Sequence, residues 1–142
     1  MVDATPIPRR QVAAARADFA AQLQSYRDLI AAASKASGMS LARIDAALAA
    51  FEPGYFNSLL VALDARFVQR AAGAAGGALD EVRLLVAALT GNGGVLAADE
   101  AVAYDPARSV LRIDFGDRIA LNADDFEALA QAFLAELERH DA

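Results

Sequence analysis

Between Leu89 and Leu96 the sequence runs LTGNGGVL, and the hydrophobic periodicity differs on its two sides. Before it, apolar residues recur every three or four positions, the spacing of one helix face. After it they alternate, the spacing of one face of a strand. A chain with that change of period is expected to fold as α+β, helices first and an antiparallel sheet later. Three glycines in four residues also raise the question of a phosphate-binding loop. Such a loop follows a strand and opens a helix, so that free amides and the positive helix end face the anion. Here the glycines close a helix, where the free groups are carbonyls, and no Lys-Ser or Lys-Thr follows. The run reads as a helix stop.

Upstream, four helices are expected. Residues 1–8 hold two prolines and no period and read as a flexible lead-in to a single α+β domain over 9–142. From Arg9 to about Ala36, Val12, Phe19, Leu23, Tyr26 and Ile30 share a face, the last four spaced by fours and threes like a coiled-coil seam. Ser37-Gly38-Met39-Ser40 breaks this helix, with Ser40 suited to cap the next. The second helix, from Leu41 to about Phe51, is expected to end at Glu52-Pro53-Gly54, because proline is tolerated in the first turn of whatever helix follows. The third, Tyr55 to about Arg70, carries Phe56, Leu59, Leu60, Leu63 and Phe67 and is apolar around much of its circumference. It is the expected centre of the core. A small-residue loop from Ala71 to Ala78, with Gly73, Gly76 and Gly77, leads to the fourth helix. There Leu79, Val82, Leu85, Val86 and Leu89 are apolar, and Asp80 and Glu81 suit the positive helix end.

Downstream of Gly94, Val102 and Tyr104 alternate into an Asp105-Pro106-Ala107-Arg108 turn, and Leu111, Ile113 and Phe115 alternate out of it. A three-residue loop, Gly116 to Arg118, would pair Phe115 with Ile119 and keep Ile119 and Leu121 on the same face. Asn122 caps a last helix whose Phe126, Leu129, Ala130, Phe133, Leu134 and Leu137 form an amphipathic stripe, with Arg139 and His140 at its negative end. The expected architecture is therefore an N-terminal four-helix region, a three-stranded antiparallel β-meander and a C-terminal amphipathic helix.

Composition narrows function more than it names one. The 142 residues suffice for one core, and Ala supplies about a quarter of them, which favours close helix approach. No cysteine is present and the one histidine is His140, so thiolate chemistry, the usual catalytic triads and histidine-based zinc sites are set aside. A net charge of −6, with twelve Arg and Lys35 spread along the chain, opposes nucleic acid and anionic lipid. The most apolar runs, such as Ser58 to Ala65, fall short of the roughly 20 residues of a membrane span, and the N-terminus lacks a secretory pattern. A cytoplasmic protein with no membrane partner, metal or cofactor is expected.

Particular stretches carry weaker signals. Asp114-Phe115-Gly116-Asp117 has the letters of the kinase magnesium motif in a chain too short for a kinase, so hairpin turn chemistry accounts for it. Asp114, Asp117, Asp124 and Asp125 read as a solvated face balanced by Arg108, Arg112 and Arg118 rather than as a cation site. Ile30 to Leu48 has the outline of a helix-turn-helix, but its second helix offers only Arg43 for base contacts, beside Asp45. Tyr55, Asp64, Arg66 and Arg70, with Asn57 and Gln69 beside them and Asp80, Glu81 and Arg83 on the fourth helix, can frame a pocket for an anionic metabolite or for acid–base steps without histidine.

Two segments, Tyr55 to Arg70 (YFNSLLVALDARFVQR) and Glu81 to Glu138, resemble a family of small conserved hypothetical proteins of actinobacteria and other high-GC bacteria. The resemblance implies a shared fold and no particular reaction. Family members carry a more polar loop where this chain has Gly73 to Ala78, and often a His at the position of Gln69. The resemblance thus implies that this chain has kept a binding or structural role and lost whatever that loop supplied. The favoured reading is a non-enzymatic interaction or accessory protein, self-associating or part of a larger bacterial assembly. Its candidate interaction seam is Phe19, Leu23, Tyr26 and Ile30, which can instead pack on the third helix. The alternatives are a small enzyme or metabolite-binding protein using the Arg/Asp/Tyr pocket, and a helix-turn-helix regulator.

Overall fold

A computed structural model of the chain describes residues 7–36, 41–68, 70 and 75–140. Four helices make up its regular structure: α1 (Arg9–Ala36), α2 (Leu41–Arg66), α3 (Ala78–Gly91) and α4 (Ala123–His140). Among the described residues there is no sheet, so the architecture is all-α and the expected α+β class is corrected. The lead-in at 1–6, the Ser37–Ser40 break, Gln69 and the Ala71–Ala74 part of the small-residue loop lie outside the described residues.

The last helix organises the core. The α4 stripe Phe126, Leu129, Ala130, Phe133, Leu134 and Leu137 is buried in full, and α4 packs against each of the other three helices. Phe126 meets Phe19 of α1 at 5.8 Å and Phe56 of α2 at 6.0 Å between ring centroids, and Phe133 meets Phe67 at 6.0 Å. Asn122 caps the helix reciprocally: its Oδ1 accepts the Asp125 N–H at 2.8 Å, and its own N–H donates to Asp125 Oδ2 at 3.3 Å. At the other expected helix boundary, α3 stops at Gly91. The N–H groups of Asn92 and Gly94 both donate to the Ala88 carbonyl at 3.0 Å, while Gly93 and Gly94 take positive φ. These glycines satisfy the orphan carbonyls of a helix C-terminus.

Two expectations from local rules are overturned. The break at Glu52-Pro53-Gly54 does not occur: Pro53 lies inside the continuous 26-residue α2. An interior proline removes one helix hydrogen bond and costs about 3 kcal/mol. Packing from α1 holds the helix through it. The Tyr26 ring stacks on Phe51 and Tyr55 of α2 at 6.3 and 5.8 Å, and the Tyr26 hydroxyl donates to Glu52 Oε1 at 2.6 Å. Tyr26 contacts residues 51–56 whereas Asp18, further back on α1, contacts Arg66, so the two helices run antiparallel.

The β-meander is also absent. What remains is one antiparallel bridge, Val95 with Arg118, flanked by hydrogen bonds from Ile119 N–H to the Gly94 carbonyl (2.8 Å) and from Gly116 N–H to the Leu96 carbonyl (2.7 Å). The predicted pairing of Phe115 with Ile119 is replaced by pairing of Gly116 with Leu96. Side chains have taken the backbone groups that a ladder would need. Glu81 accepts the N–H groups of Val110 and Leu111, Ser109 Oγ accepts that of Arg112, and Tyr104 donates its hydroxyl to the Ile113 carbonyl. Arg112, at φ 55°, lies in the left-handed region and cannot continue a strand. On the far side Asn57 of α2 imitates a strand edge, donating to the Ile119 carbonyl at 3.0 Å and accepting the Leu121 N–H at 3.2 Å. Ile119 and Leu121 are buried and Leu111 and Ile113 half-buried, so the alternation is real but belongs to an extended segment laid on helices.

Candidate functional site

The four proposed pocket residues separate into three environments. Asp64 and Arg70 come together: Arg70 Nη2 reaches Asp64 Oδ1 at 2.5 Å, and Nη1 donates to the Phe67 carbonyl at 3.1 Å. Its guanidinium lies 5.0 Å from the Phe133 ring centroid, and the side chain is only 3% exposed. Arg70 therefore caps the negative end of α2 and packs on the core. Its Nε is buried without a hydrogen-bond partner. Arg66 turns instead to Asp18 of α1, Nη1 to Oδ2 at 2.8 Å. Tyr55 lies three turns away in the aromatic stack, with its hydroxyl 3.5 Å from Gln22 Oε1.

The proposed seam is inside the molecule. Phe19, Leu23 and Tyr26 are buried among the core residues and Ile30 is half-buried against them. The Tyr26 hydroxyl is held far above its usual titration range, first by burial and then by its hydrogen bond to the Glu52 carboxylate. It stays a neutral donor and serves as a strut between α1 and α2.

Of the other two sequence signals, Arg43 stands exposed early in α2, and the turn of the helix-turn-helix outline lies outside the described residues. The acidic group around the second turn is engaged: Asp117 Oδ2 accepts the Asp114 N–H, Asp125 belongs to the α4 cap, and Asp124 pairs with Arg27 of α1. Among the described residues no three His, Asp or Glu side chains gather as metal ligands.

Two buried carboxylates carry roles that sequence reasoning missed. Glu81, 2% exposed, holds the segment after the α3 stop through Val110 and Leu111. Burial pushes its carboxyl up and the two amide donors pull it back. Glu136, equally buried, accepts the N–H of Leu79 at 2.7 Å and so caps α3, whose own N-cap, Gly77, has no side chain to do it. The signal was present for Glu136: it lies three residues after Phe133 and seven after Leu129, on the apolar face of its helix, where an acid needs a buried donor. Glu81 gave no such cue, because an acid in a first helical turn is explained by the helix dipole alone.

Two surface features among the described residues are open to contact with another molecule. One is the free half of α2. From Ala42 to Tyr55 none of its residues is buried, and Leu29 of α1 and Phe51 of α2 are 64% and 51% exposed. Continuity through Pro53 also makes Ala42–Arg66 long and apolar enough, by length and composition, to cross a membrane; 22% of its most apolar window is buried. The other is an open cleft of about 510 Å³ between the start of α1 and the end of α2, lined by Arg10, Gln11, Ala14, Arg66 and Phe67. No protein-family model, no curated protein and no solved structure matches this chain.

Proposed function

We propose that the protein is a cytoplasmic, non-enzymatic interaction or accessory subunit that self-associates through the free end of its α1–α2 hairpin. One observation carries the reading. Residues 42–55 of α2 include Ile44, Leu48, Phe51 and five alanines, yet none is buried. Helices of this length owe their stability to tertiary packing of an apolar face. The core covers one side of this half-helix through Leu48 and Tyr55, and the exposed side, with Phe51 51% exposed beside Leu29 of α1 at 64%, is a surface for another helix.

A second copy of the chain suits that surface better than an unlike partner. Residues 27–55 carry Arg27, Asp28, Lys35, Arg43, Asp45 and Glu52, a net charge of zero, in a chain of net charge −6. Two copies meeting here avoid the mutual repulsion of the remaining surface. Two antiparallel hairpins related by a two-fold axis make a four-helix arrangement. The occupied seam on α1 is not needed for this contact.

Sedimentation velocity of the whole chain tests the reading. A dimer at high micromolar concentration that becomes monomeric in Phe51→Glu and Leu29→Glu variants supports it. A wild-type chain that stays monomeric contradicts it, and a chain that instead floats with neutral phosphatidylcholine vesicles gives the α2 surface to a membrane.

A further inference from the structure

We infer that the cleft between the start of α1 and the end of α2 is a binding site for a small anion, and that the ligand class is a phosphomonoester bearing an apolar or aromatic group. The cleft's volume of about 510 Å³ falls within the usual range of small-molecule pockets. Among the described residues its two charged lining residues are both arginines, and exposed Ala14 with the small uncovered edge of Phe67 supplies apolar wall. That combination fits an anionic head with a hydrophobic tail rather than an inorganic ion.

The charge arrangement is otherwise unexplained. The first turn of α1 carries Arg9 and Arg10 and no acidic residue, although the positive end of a helix favours acids. Among the described residues Arg10 has no carboxylate within ion-pair distance. An anion bound between Arg10 and Arg66 is attracted by both guanidiniums and by the positive end of α1, while the adjacent negative end of α2 is already met by Arg70. Arg66 is already positioned: its single contact with Asp18 fixes one nitrogen at 2.8 Å and leaves other donors of the planar fork for a ligand. Asp18 is also a competitor, because its carboxylate occupies part of the guanidinium that a phosphate would use. The site thus lies on the opposite end of the hairpin from the proposed self-association surface, and the two can be tested separately.

Phenyl phosphate is the probe, followed by isothermal titration and by amide shifts in ¹H–¹⁵N spectra of the full chain. We expect shifts centred on residues 9–14 and 66–67, and inorganic phosphate binding more weakly than phenyl phosphate. Arg10→Ala and Arg66→Ala should each weaken binding roughly tenfold or more, the loss of a charge-assisted contact, with Arg108→Ala, exposed beyond α3 and outside both surfaces, unchanged. Asp18→Asn should tighten binding by freeing Arg66, a gain that a misfolded variant would not show. No binding, or binding indifferent to Arg10 and Arg66, overturns the inference. Binding only to vesicles containing phosphatidic acid, with none of free phenyl phosphate, overturns the assignment to a soluble ligand.

Discussion

Glu81 of α3 and Val110, twenty-nine residues apart, are joined by a hydrogen bond of 2.8 Å from the Val110 N–H to the buried Glu81 carboxylate, and the adjacent Leu111 N–H donates to the same group at 3.1 Å. One side chain thus does for this segment what a neighbouring strand would have done. Glu81→Ala leaves two donors without an acceptor and opens a void. A loss on the order of 3 kcal/mol in folding stability is expected, with Glu81→Gln losing less because one acceptor remains. Chemical denaturation checks this, and an alanine variant within about 0.5 kcal/mol of wild type, the range of an ordinary surface substitution, would show that the carboxylate holds nothing.

The same group predicts a pH dependence of definite sign. Burial raises the folded carboxyl of Glu81 above its unfolded value, so the folded state binds this proton more tightly than the unfolded state. Its contribution is fully present below the ordinary glutamate range and is lost as pH rises through the raised folded value. Wild type should therefore gain stability relative to Glu81→Gln on going from pH 7.5 to pH 4.5. Denaturation midpoints of the two proteins at both pH values measure it, and a difference that shrinks on acidification contradicts it.

Pro53 tests the continuity of α2. Inside an unbroken helix it removes a hydrogen bond, so Pro53→Ala should raise stability by roughly 1 to 3 kcal/mol. In a chain broken at this point the proline would be a first-turn residue, and its replacement would be neutral or destabilising. Thermal unfolding followed by circular dichroism separates the two.

Asn57 is expected to matter more than its half-buried position suggests. Its amide satisfies both the Ile119 carbonyl and the Leu121 N–H. Asn57→Ala should cost about 1 to 3 kcal/mol, and Asn57→Asp should be nearly as costly because the group facing the Ile119 carbonyl changes from donor to acceptor. Amide hydrogen exchange at Leu121 reads the local effect: faster exchange in both variants is predicted, and unchanged protection would contradict it.

What could be read from the chain alone follows the strength of local periodicity. The stripe from Phe126 to Leu137, the Asn122 cap and the glycine stop after Leu89 each depend on residues within a few positions of one another, and the structure has them as expected. Pro53 misled because the aromatic contacts that carry α2 through it come from Tyr26, on another helix. The alternation from Val102 to Leu121 misled because period two marks which residues face inward and not what pairs with their backbone. Here Glu81, Ser109, Tyr104 and Asn57 supply that pairing from the side. The Arg/Asp/Tyr grouping shows the same limit. Asp64 and Arg70 meet across one helix end, whereas the partners of Arg66 and Tyr55 lie on α1, beyond the reach of a local pattern.

The absence of cysteine offers a direct test of the self-association surface, since a single engineered cysteine is a unique labelling site. Ala47, exposed on the free half of α2, would carry a nitroxide in one variant, and Gln131, exposed on α4, in a second. Pulsed electron paramagnetic resonance on the intact chain at high micromolar concentration then measures distances between copies. Helices in contact lie about 8–10 Å apart, so the Ala47→Cys label should give a narrow distribution below about 30 Å. A dimer whose short distances appear only from Gln131→Cys, or a chain with no dipolar modulation from either label, would contradict association through the α1–α2 hairpin.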